Sequence, residues 1–561
     1  MSFSDFKDLY NLRKYILTIR FFPLFFSLLT MILIYSIYGL FNEYFLYSIF
    51  FIISTYIFSI IWVRFKSKLK FAQNLHKKAN FIEEYHLYNQ LQTETLWESE
   101  KFELNLQKAQ LFFQVGNHKR FLELMDELSN KIENYPKKKY FVRLLKAFYY
   151  EIKNDWVNAK KELEIIIENS NNSNLRIQAY NNIARIEEIQ KNFLSAQSFY
   201  EKSFEILKNN PISSFFPITI HNLLICYGKN NQLLKAEKVF DEYYKFIDKK
   251  DSKQLLEYAN DLTHYARQIN NEDLLLKSYS IADNDVKKLL KEKEIFIFEI
   301  SQLRMKYNDN IDFENYFFTI FTKIQSNKDD FNLVEKLNIL TELRLVISQK
   351  LGENQIQETK WINNFIWCRD WNLSLKNEIE NELKNIESSL SSIKVFWISQ
   401  LIQLQKTILT KPKSKNEPFD LDNLKKLTKY IEEVIFIWEE VGNEMEQINE
   451  IIHFIDEIYA YSSQTQDSRI KSFYDEKINN YLLKADELLE NNYKNPHIAD
   501  YFIALGYFFL NIRNDEISAK KWINRFDESN VSLNHYSLYL RNWYIYCVKK
   551  LKISTIINNK L

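Results

Sequence analysis

The sequence predicts an all-α protein in which an N-terminal pair of transmembrane helices is followed by an α-solenoid of helical hairpins. Three observations support this fold class. The 561 residues include only 6 glycines and 7 prolines, too few for the turns that a sheet protein needs. Two long stretches near the N-terminus contain no charged residue. The rest of the chain places apolar residues at helical spacing, and up to about residue 292 these segments are paired and recur about every 40 residues.

The first predicted element is a transmembrane hairpin. Segments 21–41 and 45–63 contain 21 and 19 residues without a Lys, Arg, Asp or Glu. At about 1.5 Å per residue, a helix of either length spans a hydrocarbon layer of about 30 Å. Residues 39–44 connect the two helices, which contact the lipid bilayer through residues 21–63. A signal peptide is the alternative for the first segment, but its apolar region would be shorter, about 7 to 15 residues.

Basic residues flank this hairpin at both outer ends. They are Lys7, Arg13, Lys14 and Arg20 before the first span, and Arg64, Lys66, Lys68 and Lys70 after the second. The connecting turn has no basic residue, so the positive-inside rule places residues 1–20, the C-terminus and the soluble domain in the cytoplasm. We therefore expect an integral membrane protein with two spans, in a bacterial inner membrane or an equivalent one. The basic cluster 64–78 is interpreted as a topology signal, with binding of anionic lipid as the alternative.

Residues 64–98 are predicted to form a basic juxtamembrane segment and a connecting helix, and residues 99–292 to form five helical hairpins. Each helix has a crossing position, where close backbones favour a small residue. These positions are Ala109, Ala147, Ala184, Leu224 and Ala266 in the first helices, and Phe121, Ala159, Ala196, Ala236 and Ser278 in the second helices. The two positions of a hairpin are 12 residues apart, whereas successive hairpins are 38, 37, 40 and 42 residues apart. This pattern predicts hairpins of constant design joined by loops of different length.

The hairpin at residues 176–211 shows the pattern most clearly, with Lys191 and Asn192 at its turn. It resembles the tetratricopeptide repeat family, which carries a small residue in the first helix, an Ala-x-x-x-Phe/Tyr step in the second and a proline near the end. The residues that carry the resemblance are Ala184, Ala196, Tyr200 and Pro211. It covers about residues 102–290 and departs from the family at Glu187, where an aromatic residue is usual, and at Pro211, which comes a few residues late. The resemblance implies a binding scaffold and leaves the ligand open.

Beyond the repeats the helices continue without a legible period. Residues 293–410 are predicted to form irregular helical hairpins, residues 411–418 a linker with two prolines, and residues 419–561 a C-terminal helical region. Asp420 is the expected cap of an amphipathic helix in this region. A degraded repeat follows near the end, as the exposed end of a solenoid requires. Its residues are Ala504, Gly506, Phe509, Ala519 and Trp522.

The sequence has no motif for catalysis, and we expect no catalytic residue, no cofactor and no metal. The glycines are too scattered for a phosphate-binding loop, and Cys-x-x-Cys, His-Glu-x-x-His and Gly-x-Ser-x-Gly patterns are missing. Glu83 with His86 and Glu450 with His453 have the spacing of a di-metal bundle, but 73 acids and 8 histidines produce such spacings by chance. The 3 separated cysteines fit a reducing compartment. The balance of 74 basic and 73 acidic residues disfavours nucleic acid as a partner.

The family resemblance also implies a concave groove along the first helices that holds an extended peptide. On this alignment the groove residues are Asn181, Arg185, His221, Asn260 and Arg267. Arg provides charge for a carboxylate, and Asn pairs with a peptide backbone; an ordinary solvated helix surface is the alternative. We therefore expect a membrane-anchored scaffold for protein or peptide partners. The alternatives are a structural subunit of a membrane complex, with the solenoid as a spacer, and an enzyme with an unrecognised site.

Overall fold

The computed structural model describes residues 65–76, 79–95, 97–209, 215–230, 232–268, 271–290, 292–301, 303, 313–354, 359–409, 420–463, 465, 467–492, 498–528 and 538–552. Their regular elements are all helical, which confirms the all-α prediction for this part of the chain. Within it, no helix is both long and apolar enough to cross a membrane. The predicted segments that lie outside the described residues are 1–20, 21–41, 45–63 and 411–418.

The chain divides into two compact units, Met1–Asn134 and Tyr135–Leu561. The described helices of the first unit are α1 (65–76), α2 (Phe81–Glu94), α3 (Glu98–Gln114) and α4 (His118–Lys131), followed by a 3-10 turn at Ile132–Asn134. One face of α1 is buried, and its residues Phe65, Leu69, Ala72 and Leu75 have helical spacing. The predicted juxtamembrane segment is therefore part of a folded unit from residue 65 onward.

The second unit begins with a 3-10 turn at Pro136–Lys138 and continues with four helical hairpins. Their helices are α5 (Lys139–Ile152) with α6 (Trp156–Asn169), α7 (Ser173–Ile189) with α8 (Phe193–Leu207), α9 (Phe215–Lys229) with α10 (Leu233–Phe246), and α11 (Ser252–Gln268) with α12 (Glu272–Ser280). A π-helical turn, Ile281–Val286, and a 3-10 turn, Lys287–Leu289, follow. All ten predicted crossing residues of the five hairpins are buried, with exposed fractions of 3% or less. The helical-repeat prediction is confirmed at these positions.

The remaining helices of the second unit follow the predicted irregular and C-terminal regions. They are α13 (Glu292–Ser301), α14 (Phe313–Asn327), α15 (Leu333–Asn354), α16 (Thr359–Ser374), α17 (Lys376–Lys384), α18 (Ser391–Leu409), α19 (Leu421–Glu440), α20 (Glu444–Ser462), α21 (Ser468–Asn492), α22 (Ala499–Asn511), α23 (Glu516–Glu528) and α24 (Leu538–Lys550), with a 3-10 turn at Lys328–Asp330. Asp420 caps α19, since its carboxylate accepts a hydrogen bond of 3.2 Å from the Asn423 amide. Gly506 in α22 allows the close approach of α23, because a Cβ there would lie 2.8 Å from Ile523 Cδ1.

Several hairpins share one tight turn. A single residue with positive φ ends the first helix, and an Asn or Asp at the N-cap position of the second helix follows directly. The pairs are Gly116 with Asn117, Asn154 with Asp155, Lys191 with Asn192, Gly442 with Asn443, and Asn514 with Asp515. The Asn192 amide, for example, donates to the Glu187 carbonyl over 2.8 Å. This is a Schellman closure in which the C″ residue of one helix is also the cap of the next.

The first of these turns in the second unit contacts the C-terminal region. The Asn154 side chain donates a hydrogen bond of 3.2 Å to Asn492 Oδ1 at the end of α21, 338 residues away in sequence. Asn492 in turn donates over 2.7 Å to Glu444 at the start of α20. A polar contact therefore joins the first hairpin of this unit to its C-terminal helices.

The burial of the crossing residues predicts the effect of enlarging one of them. We expect Ala196→Leu to destabilise the second unit by about 1 to 3 kcal/mol, because Ala196 is fully buried where α7 and α8 pack together. Ser198→Ala, on the exposed side of the same helix, should change the stability by less than about 0.5 kcal/mol. Urea unfolding followed by circular dichroism measures both. Equal effects would contradict the assigned helix faces.

Candidate peptide-binding face

The predicted groove residues lie on α7, α9 and α11, which are first helices of successive hairpins. In the structure, polar side chains of each first helix bond to the next one. The bonded pairs are Glu151 with Arg185, Asn181 with Thr219, and His221 with Asp261. The first helices α5, α7, α9 and α11 are therefore connected in sequence by one polar pair at each step. We call this set of residues the inner polar row.

Among the residues of the inner polar row that the sequence predicted, Arg185 is the most exposed charged one. Its side chain is 43% exposed, whereas its partner Glu151 is only 8% exposed. The guanidinium Nη2 donates to Glu151 Oε2. Burial raises the pKa of Glu151, and the charge and hydrogen bond of Arg185 oppose this rise. Arg185 therefore neutralises a buried carboxylate and still presents part of its planar fork to solvent.

His221 repeats this arrangement one hairpin later. Its Nδ1 lies 2.7 Å from Asp261 Oδ1, and the exposed fractions of the two side chains are 41% and 11%. The hydrogen bond to Asp261 raises the pKa of His221 against the opposing effect of burial. The negative charges of Asp261 and Glu188 act in the same direction. A cationic imidazolium is therefore favoured above a partly buried acid, as at Arg185.

The three other predicted residues differ in their surroundings. Asn181 Nδ2 donates over 2.7 Å to the hydroxyl of Thr219, which is fully buried. Its Oδ1 is also buried and accepts no hydrogen bond in the described part of the protein. Asn260 is half-buried, directly before Asp261 in α11. The side chain of Arg267 lies outside the described residues.

Glu188 belongs to the same face and was missed by the sequence analysis. Its carboxylate accepts hydrogen bonds from the Tyr200 hydroxyl at 2.9 Å and from the Cys226 thiol at 3.4 Å. Burial and the nearby Glu188 charge raise the pKa of both Tyr200 and Cys226. The signal that could have identified Glu188 is its position three residues after Arg185, on the same face of α7.

The residues weighed for metal binding do not form a site. Glu83 and His86 lie on α2 in the first unit, whereas Glu450 and His453 lie on α20 in the second unit. Across the described residues, no three His, Cys, Asp or Glu side chains are grouped closely enough to hold a metal ion. Burial raises the pKa of Glu450 to about 7, with the neighbouring Glu446 adding to the rise.

No protein-family model matches the sequence, and no curated protein matches it. Among solved structures, the chain is similar to one in the structure of Naa15/Naa10 bound to HypK-THB, with 12% identity, a TM-score of 0.24 and coverage of 87% of this chain and 79% of that one. It is also similar to one in the APC/C hetero-tetramer Cut9-Hcn1, with 12% identity, a TM-score of 0.26 and coverage of 85% and 95%. A circular tandem repeat protein matches with 12% identity, a TM-score of 0.16 and coverage of 96% and 98%. The repeat assignment therefore depends on the crossing residues and turns described above.

The His221–Asp261 pair predicts a pH dependence. We expect the pKa of His221 to exceed the usual value of about 6.5, and Asp261→Asn to lower it. Since the folded state raises this pKa, the pair stabilises the fold fully below about pH 6.5 and loses its effect as the pH rises through the folded-state pKa. Histidine-selective NMR titration of the native chain, Asp261→Asn and His221→Gln measures and assigns the value. A native pKa at or below 6.5 would contradict the pairing.

Proposed function

We propose that the protein is a membrane-anchored, cytoplasmic scaffold that binds a carboxylate-bearing segment of a partner protein along the inner polar row. The observation that carries this proposal is Arg185, a 43% exposed guanidinium above a buried carboxylate. Only one of its donor groups is needed for Glu151, and the planar fork can bind a second carboxylate. Glu151 thus holds the Arg185 guanidinium in position to bind a carboxylate of the partner.

The neighbours of Arg185 extend the same chemistry along the helices. His221 offers a second cation where the pH permits, and Asn181 has a buried carbonyl oxygen without a donor. The part-buried Asn181 side chain lies one helical turn before Arg185 on α7, where its amide can pair with a peptide backbone once it leaves Thr219. Together these groups match an extended segment that has an acidic or C-terminal carboxylate.

The membrane anchor in this proposal is supported by the sequence alone. Segments 21–41 and 45–63 have the length and composition of spans, and the flanking basic residues favour cytoplasmic termini. They lie outside the described residues. We assign no enzymatic activity, because the sequence has no catalytic motif.

A structural subunit of a membrane complex is the second candidate, and the attachment of α1 favours it. Lys66 bonds to Glu103 at 2.9 Å, and Lys68 bonds to Glu94 at 2.7 Å. With its buried apolar face, α1 is thereby fixed to the helices of the first unit. A predicted span that ends at residue 63 would enter this unit without a flexible linker. Such a connection suits a rigid spacer as well as a scaffold.

The binding proposal predicts the effect of a paired substitution. Arg185 should not be changed alone, because Glu151 would then be buried without its partner and the fold would be weakened. We expect Glu151→Gln with Arg185→Gln to keep the fold and to weaken partner binding at least about tenfold, since one charge-assisted hydrogen bond contributes roughly 1.5 to 3 kcal/mol. Proximity labelling in the native host identifies the partners, and affinity measurement on the purified pair gives the change.

Lys245→Gln is the matched control, because this exposed residue of α10 lies outside the inner polar row. It should leave the affinity unchanged. Full retention of every partner by the paired variant, with an unaltered thermal midpoint, would contradict the binding face and favour the structural subunit.

The anchor predicts the topology of the whole chain. Reporters fused before Met1 and after Leu561 should be active only in the cytoplasm, because the basic residues flank the uncharged hairpin on its outer ends. Alkaline carbonate should fail to extract the chain from membranes. Release by carbonate, or cleavage of the repeats by protease added outside sealed cells, would rule out this topology.

A further inference from the structure

Three successive hairpins of the second unit expose an apolar side chain at the same position. Val157, Leu194 and Leu234 each lie two residues after the cap of α6, α8 or α10 and two residues before its crossing position. Their exposed fractions are 78%, 68% and 77%. The spacings of 37 and 40 residues equal those of the crossing positions. Exposure at this position therefore recurs in these hairpins, and we call Val157, Leu194 and Leu234 the apolar tips.

A larger apolar residue precedes two of the tips. Trp156 precedes Val157 and packs against the core of its hairpin, and Phe193 precedes Leu194. The Lys229 ammonium lies 4.2 Å from the centroid of the Phe193 ring. Each tip thus presents an aliphatic side chain at a helix N-terminus, and in α6 and α8 an aromatic residue precedes it. Such a side chain gains free energy by leaving water.

The charge around the apolar tips is mainly positive. Within four residues of Val157, Leu194 or Leu234 in the sequence, the exposed basic residues are Lys153, Lys161, Lys191, Lys235 and Lys238, whereas the exposed acid is Glu237. Two acids of the C-terminal helices also lie near these turns, Glu444 through Asn492 and Asp500 beside Lys191. Long lysine side chains can keep their ammonium groups at a polar boundary while an adjacent aliphatic group enters an apolar phase. This combination is typical of protein surfaces that bind at the interface of an anionic bilayer.

We propose that the apolar tips of α6, α8 and α10 dock on the surface of an anionic lipid bilayer. Each tip offers one aliphatic residue on a separate hairpin, and a fluid surface accommodates three such residues independently. The lysines contact anionic headgroups while Val157, Leu194 and Leu234 enter the interface. This surface belongs to the repeats and does not depend on the predicted spans. An experiment can therefore disprove lipid docking without disproving the anchor, or disprove the anchor without disproving lipid docking.

The three native cysteines make a site-specific test possible in the full chain. Cys226, Cys368 and Cys547 are free and fully buried, so a maleimide probe will react with an introduced surface cysteine. We would attach the fluorophore NBD to Leu194→Cys and, separately, to Val157→Cys and Leu234→Cys. Ile517→Cys is the matched control. Ile517 occupies the same position in α23 and is 85% exposed, with exposed Arg513, Glu516 and Lys520 close by in sequence. It differs from the apolar tips because the preceding hairpin has no exposed apolar residue at this position, where Met445 is half-buried.

The labelled chains are mixed with vesicles of phosphatidylcholine alone or of phosphatidylcholine with phosphatidylserine. Both kinds of vesicle contain a spin-labelled lipid as quencher. In anionic vesicles we expect a blue shift and quenching of the probe at the three apolar tips, and little change at Ile517. Salt at about 0.5 M should reverse both effects, because the Debye length then lies between roughly 3 and 8 Å. In the unlabelled chain, Lys161→Gln with Lys238→Gln should raise the anionic lipid concentration needed for half-saturation by about 25-fold, since each lysine near the surface contributes roughly fivefold.

Three results would overturn the proposal. One is the absence of quenching at all three tips while circular dichroism shows an intact fold. Another is equal quenching at Leu194→Cys and Ile517→Cys. The third is a blue shift that appears without lipid and grows with protein concentration, because a second copy of the chain would then cover the tips.

Discussion

The tight turn that closes several of the hairpins is the constraint on which their geometry depends. The connection between the two helices contains only one residue in the left-handed region and one N-cap residue. Its length is therefore constant, and a fixed number of residues separates the two crossing positions. Lys191 shows how strictly this applies, because a lysine adopts φ of 62° there in place of the glycine that favours this conformation. With the turn fixed, Ala184 and Ala196 face each other and are fully buried. The contacts of neighbouring hairpins are built on that geometry.

Local patterns allowed the repeats to be predicted from the sequence. Helical spacing and the constant interval of 12 residues located the crossing positions, and Lys191 with Asn192 located a turn. Pairing between hairpins could not be predicted in this way. Arg185 bonds to an acid 34 residues earlier, and its choice among many acids depends on loops whose lengths differ from one hairpin to the next. The short helix α17 was missed for a related reason, since it lies where no period guides the alignment.

The inner polar row stabilises the packing of successive hairpins and also presents cations to solvent. Buried carboxylates are costly unless they are paired, and Glu151 and Asp261 each obtain a cation from another hairpin. Each cation is in turn held by the acid beneath it and loses less side-chain freedom when a second acid binds. The pairs that align successive hairpins are thus the same pairs that prepare a surface for a ligand.

The contact between Asn154 and Asn492 has a consequence for how the second unit folds. Repeats built from neighbouring contacts can fold locally and quickly, because each new contact closes a short loop. The Asn154–Asn492 hydrogen bond closes a loop of 338 residues, and the entropy of bringing distant segments together rises with loop length. A single neutral hydrogen bond contributes only about 1 kcal/mol, too little to gather an unfolded chain. We therefore expect the hairpins on both sides to form before this contact closes.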